Sequence, residues 1–253
     1  MTSHTERSRP AARPHGGHAL WLLLAAVGLG LSGCSGFAAR GMNAEGVRLF
    51  QKAQYVQAIQ QFQQAIYADP ANADGYYNMA AVYHQMGKAE NRKADLDQAE
   101  NLYNQCLDRD PEHRDCYRGL AVLLVEQKRN DEAFRLLEGW CDRQSTSAEA
   151  RIELARLSEE FGDQRGAMQR LSEALSMDPN NPRALAAAGK LREQMGDHTQ
   201  AIANYQRSLF FNRFQPEVAA RLASIQTATG ISAPSVSGSS IDQVASRNFN
   251  LHR

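Results

Sequence analysis

The chain predicts an all-α fold built by repetition, and three observations carry the prediction. Small residues recur at a fixed step: Gly46, Ala80, Ala121, Ala155, Gly189 and Ala223 are separated by 34, 41, 34, 34 and 34 residues. A second series, Ala58, Ala99, Ala133, Ala167 and Ala201, keeps the same step and is stretched once, to 41. Around both series apolar residues fall at helical spacing, and Asp69-Pro70, Asp110-Pro111 and Asp178-Pro179 end three of the helices, because a residue before proline is pushed out of the α region. A fixed period of this size means one supersecondary unit copied and stacked, and such an array offers a long concave surface rather than a catalytic cleft.

Each unit reads as two amphipathic helices. In the first, Met42, Gly46, Leu49 and Phe50 share one face, and Ala58, Phe62, Ala65 and Ile66 share another, with a turn at Gln54 and Tyr55. Small residues at the crossing let the two backbones approach, while Phe62, Tyr103, Leu137, Leu171 and Tyr205 fill the space one turn away. The units run over about 39–72, 73–113, 114–147, 148–181 and 182–215, and a last unpaired helix over 216–229 hides the final apolar face. Two departures stand out. The second unit carries seven extra residues within Lys88–Leu96, rich in charge and in helix formers, which predicts added helical turns. The third puts Trp140 where a small residue is usual, which predicts distortion around the third and fourth units, since an indole in a tight crossing forces helices apart.

These residues resemble the tetratricopeptide repeat. The match runs through Gly46, Tyr55, Ala58, Phe62, Ala65 and Pro70 in the first unit. It continues through Tyr76, Ala80, Tyr83, Gly87, Ala99, Tyr103 and Pro111, then Leu120, Ala121, Ala133 and Leu137. Leu154, Ala155, Gly162, Ala167, Leu171, Ala174 and Pro179 carry the fourth unit, and Leu185, Gly189, Gly196, Ala201 and Tyr205 the fifth. The resemblance implies a right-handed α-solenoid of about five helix–turn–helix repeats over 41–229, with a C-terminal capping helix.

The ends differ from the array. Arg7, Arg9 and Arg13 precede an uncharged apolar run of 13 residues, Ala19–Leu31, short of the ~20 a spanning helix needs. It stops at Leu31-Ser32-Gly33-Cys34, which resembles the lipobox of bacterial lipoproteins. That resemblance implies removal of 1–33, a lipid on Cys34, and attachment to a membrane through acyl chains, with 34–40 as lipidated cysteine and tether. Ser35, in place of the Asp that retains such proteins in the inner membrane of enteric bacteria, favours the outer membrane, so the expected location is the bacterial envelope facing the periplasm. At the other end 230–253 reads as a flexible tail, small and polar over Ile231–Ser240.

Losing 1–33 removes three arginines and one glutamate and leaves 25 basic against 27 acidic residues, so no footprint for nucleic acid is present. No phosphate loop, metalloprotease motif or nucleophile elbow occurs, and neither enzymatic activity nor a cofactor is expected. The many carboxylates fall at spacings that a solvated face explains. Cys116 and Cys141 stand where the start of one helix meets the end of its partner, so a disulfide between them is a possible pairing, with Cys106 a buried thiol. Cys106, His113, Cys116 and Cys141 together match no usual zinc spacing, and no metal is expected.

In related arrays the first helix of each unit lines the concave face. The outward positions expected to bind a partner are Asn43, Val47 and Phe50, then Tyr77 and His84, then Arg118, Val122 and Val125, then Arg156 and Lys190. Phe50, Tyr77, Val122 and Val125 would grip the apolar face of a helix or an extended peptide. The Lys/Asn/Arg clamp by which some tetratricopeptide co-chaperones hold a terminal carboxylate is disfavoured, because Val47 and Asp115 fall at its places. The expected function is a membrane-anchored interaction scaffold whose groove takes a protein or peptide, for an envelope assembly or secretion system. Two alternatives are a pilotin-like assembly factor for a type IV pilus secretin, and an adaptor regulating an envelope enzyme.

Overall fold

A computed structural model of the chain describes residues 36–230, and every described element of regular structure is a helix. Helix α1 covers 36–51. It is followed by α2 (Tyr55–Ala68), α3 (Ala73–Glu90), α4 (Lys93–Arg109), α5 (Arg114–Glu126), α6 (Asn130–Arg143) and α7 (Ala148–Glu160). The series ends with α8 (Gln164–Met177), α9 (Pro182–Gln194), α10 (His198–Phe211) and α11 (Pro216–Thr229). This is an all-α architecture of the solenoid-repeat class. The proposed leader, Cys34 and the tail from 231 lie outside the described residues.

The helices end where their sequences dictate. Asp69, Asp110 and Asp178, each before a proline, are the C-caps of α2, α4 and α8. Asn72, Ser147, Asp163, Asn181 and Asp197 start α3, α7, α8, α9 and α10 with side-chain oxygens that accept first-turn N–H groups otherwise left without partners. Gly162 and Gly196 take left-handed φ values of 81° and 80° in two of the turns between paired helices, a conformation glycine adopts without strain.

The chain divides into two compact units, one up to Cys116 and one from Tyr117. In the first, α1 and α2 cross closely at Gly46, where an added Cβ would fall 2.5 Å from the Phe62 ring. Helices α3 and α4 have 18 and 17 residues, against 13 or 14 for every helix from α5 onward. Five extra residues in α3, three in α4 and one fewer in the turn account for the long second unit. The added turns pack on each other at Gly87, whose Cβ would meet Leu96 at 2.7 Å.

In the second unit α7, α8 and α9 share one core of Ile152, Ala155, Ala167, Leu171, Ala184 and Leu191, so successive hairpins stack side by side. Helix α11 then lays Ile225 on Ala201, Ile202 and Tyr205 of α10. The distortion expected at Trp140 does not break the helices. Its indole is buried and stacks on Tyr117 with centroids 4.2 Å apart, and both α6 and α7 run uninterrupted.

Close crossing gives a prediction whose sign depends on place. Gly189→Ala puts a Cβ 2.7 Å from the buried Tyr205 ring and should cost about 1–3 kcal/mol. Gly139→Ala in α6 meets only the tip of Arg143, at 3.2 Å, and should gain up to about 1 kcal/mol from helix propensity. Urea midpoints of the two variants measured against the parent check both.

Candidate functional site

The ten positions expected to line a groove fall into two groups, five in each unit. In the first unit, Asn43, Val47, Phe50, Tyr77 and His84 are all half-buried rather than open. Asn43 Oδ1 accepts from Asn78 Nδ2 at 3.0 Å. Phe50 lies 5.8 Å from the Tyr55 ring. Tyr77 packs against Tyr103 and, at 5.2 Å, against His113, while His84 meets Tyr103 edge-on. These aromatics cement their own hairpins, so only part of their surface is left to a partner.

In the second unit the structure brings Arg118, Arg156 and Lys190 to one cavity of about 350 Å³, and it leaves Val122 and Val125 off that lining. The expected apolar grip is therefore not what this cavity offers. Its floor includes Ile152, Ala155 and Leu171, and its walls hold five basic and three acidic side chains, an excess of positive charge. Most of these charges are already matched. Lys190 Nζ lies 2.7 Å from Glu159, and Arg156 reaches Glu153 at 3.2 Å and Glu160 at 3.4 Å. Arg183 pairs with both Glu149 and Glu153, and Arg221 reaches Glu193 at 3.4 Å. Arg118 is exposed and has no ion pair among the described residues.

Glu153 was missed as a site residue and corrects the solvated reading of the carboxylates, being 0% exposed between Arg156 and Arg183. The signal was present in its column of the repeat, which otherwise reads Ala44, Asn78, Gly119 and Ala187 before Arg221 in the last helix. A carboxylate among short uncharged residues marks a place where a charge has been taken inside and must be paired. Beside it, burial and then the hydrogen bond to Glu193 push the Tyr205 phenol up, so its hydroxyl stays a donor, 2.6 Å from Glu193.

The cysteines are arranged differently from the possible pairing. Cys106, Cys116 and Cys141 are all free, so the bond between Cys116 and Cys141 is not formed. The reason is direction: Cys116, in the first turn of α5, turns its thiol back to α4, donating to the Tyr103 carbonyl at 3.1 Å. There it joins Cys106, in the last turn of α4, and His113, in the loop between. Three members of the set dismissed on spacing are thus neighbours. The bond with Cys116 and the nearby His113 imidazole hold the Cys106 thiol low, at about 6, against burial. The bond with Cys106 lifts His113 to about 9, with help from Asp74, and Cys116 is pushed up because its neighbour ionises first.

No described helix is long and apolar enough to cross a membrane. Family models described as TPR repeat and tetratricopeptide repeat match 46–87, and 92–144 with 159–225, respectively. A DnaJ homolog subfamily C member 7 homolog of Schizosaccharomyces pombe is 25% identical over 182 residues, covering 68% of this chain and 38% of that protein. The chain thus spans well under half the length of that curated relative. A thermophilic TPR protein of Thermus thermophilus is similar in fold, with TM-score 0.56 and 20% identity over 75% of this chain and 100% of that one. Pseudomonas aeruginosa pilF aligns with TM-score 0.49 and 19% identity, over 78% of this chain and 95% of that one.

Proposed function

Because the chain belongs to the tetratricopeptide repeat family, we propose that it is a membrane-anchored scaffold that recruits a protein or peptide bearing carboxylates to the bacterial envelope. Repeats of this family serve protein–protein interaction. The observation that supports the choice of partner is the cavity among α7, α9 and α11, with its apolar floor and its excess of basic over acidic walls. Ion pairs at the surface are worth only about 0–1 kcal/mol, and Lys190, the half-exposed member of the Lys190–Glu159 pair, can turn from the more buried Glu159 to a partner carboxylate at modest cost. Arg118 adds a guanidinium with no such exchange to make, and its planar fork suits a carboxylate. The expected tether over 35–40 is shorter than its sequence suggested, because α1 already begins at 36. Only Ser35 separates that helix from Cys34, so the array would stand close against a lipid attached there, and tethering raises the local concentration of whatever the groove holds. An assembly or secretion machine of the envelope is the setting that fits such recruitment best. The likeness to pilotins rests on the lipobox, the length and the array.

The test is capture of partners from membranes with the lipidated protein as bait. Arg118→Glu and Lys190→Glu are the variants of choice, because Arg118 is exposed and Lys190 gives up only its ion pair with Glu159. At least a ten-fold drop in recovery of the same partner from both variants is expected, with helix content unchanged. Equal recovery from parent and variants would overturn this groove as the docking site. Cys34→Ala should release the protein from the membrane fraction, and retention there would overturn the anchor. Phe50→Ala and Tyr77→Ala are poorer probes, since both rings pack within their own unit.

A further inference from the structure

We propose that Cys106, His113 and Cys116 form a metal site for a thiophilic d10 cation, Zn(II) or Cu(I), independent of the groove. The two sulfurs and a ring nitrogen of His113 all lie within 4.8 Å of one another. Around such an ion, with bonds of ~2.3 Å to sulfur and ~2.0 Å to nitrogen, ligand atoms stand roughly 3.5–4 Å apart. The three atoms therefore need to close by about an ångström or less, which side-chain rotation supplies. Thiolate and imidazole are the donors these cations select over calcium or magnesium.

The surroundings are those of a held ligand set. Both thiols are fully buried, at the facing ends of two helices. His113 Nε2 lies 3.1 Å from Asp74 Oδ1, and this bond leaves Nδ1 turned to the thiols. A carboxylate on the far nitrogen fixes the tautomer and the ring angle of metal-bound histidines and makes the ring a better donor. In the neutral ring, the form that ligates a cation, Nδ1 accepts from the Cys116 N–H at 3.1 Å. That N–H has a second acceptor in the His113 carbonyl, also at 3.1 Å, so turning Nδ1 to a cation does not strand it. The loop is pinned by Asp110, whose carboxylate accepts from the Glu112 N–H at 2.9 Å and whose carbonyl accepts from the His113 N–H at 3.1 Å. Binding would displace the thiol protons and tie the end of α4 to the start of α5.

The experiment uses the full chain in detergent, thiols reduced and oxygen excluded, titrated separately with Zn(II) and with Cu(I). One equivalent of at least one of the two is expected, with Cys106 and Cys116 protected from alkylation and Cys141 unprotected beyond its own burial. Cys106→Ser and Cys116→Ser should abolish that equivalent. Asp74→Asn alters an exposed side chain that is not itself a ligand, and it should weaken binding about ten-fold with the fold intact. A melting temperature that rises with the metal in the parent and not in Cys106→Ser guards against a variant that fails to fold. Absence of 1:1 binding of either ion, or binding that survives Cys106→Ser or depends on Cys141, would overturn the site. So would recovery of a Cys106–Cys116 disulfide that takes up no metal after reduction.

Discussion

Replacing Arg183 by methionine should cost about 3 kcal/mol of stability, because Glu153 would be left inside the protein with half of its counter-charge gone. Glu153 has no exposed surface, and its two partners are Arg183, on the neighbouring helix α9, and Arg156, one turn along its own helix at 3.2 Å. Removing one partner leaves the cost of taking the carboxylate out of water in place and removes much of the attraction that offsets it. The same arginine also holds Glu149, which caps the loss at the low end of the range for broken buried pairs only if that outer carboxylate returns to solvent, as its half-exposed position allows. The double variant Glu153→Met/Arg183→Met should recover most of the loss, since an apolar pair of similar volume serves a buried position about as well. Chemical denaturation of the two variants decides it. A single variant as stable as the parent, or a double variant no better than the single, would show that Glu153 is not paired as described.

Trp140→Ala should destabilise the protein by about 3–5 kcal/mol, although alanine is the residue that the repeat pattern favours at this place. The indole is among the largest fully buried side chains, stacked on Tyr117 at 4.2 Å and nearly parallel, and Arg143 Nη2 donates to the Tyr117 hydroxyl at 2.9 Å. Truncation removes the stack and opens a cavity that two uninterrupted helices cannot collapse to fill. Trp140→Phe should cost much less, within about 1.5 kcal/mol, because it keeps most of the ring and gives up only an indole N–H that meets no acceptor among the described residues. Calorimetric melting of both variants separates this from the reading in which the indole strains the crossing, for which the alanine variant would melt higher than the parent.

How much of this was legible beforehand differs by kind of residue. The repeat, its helices and three of their C-terminal ends were readable because each depends on local chemistry: a small residue at a crossing, apolar residues at helical spacing, an Asp before Pro. The long second hairpin was readable for the same reason, as helix formers with nowhere else to go. Groove residues were readable as positions but not as surfaces. Tyr77 and His84 stand on the expected helix, yet their rings are drawn onto Tyr103, and Arg156 and Lys190 spend their charge on neighbouring carboxylates.

The sequence by itself determined that this chain is a stack of tetratricopeptide hairpins, since periodic burial and helix punctuation are properties of each short segment and repeat along the line. Only the tertiary structure decided which charges are inside, which aromatic faces are taken, and that Cys106, His113 and Cys116 meet. Those outcomes depend on the direction in which each side chain leaves its helix and on what the next helix places opposite it. Spacing along the chain carries no record of that, so three of the four residues dismissed for their spacing became a cluster, and a pair chosen for its place at adjoining helix ends stayed unbonded.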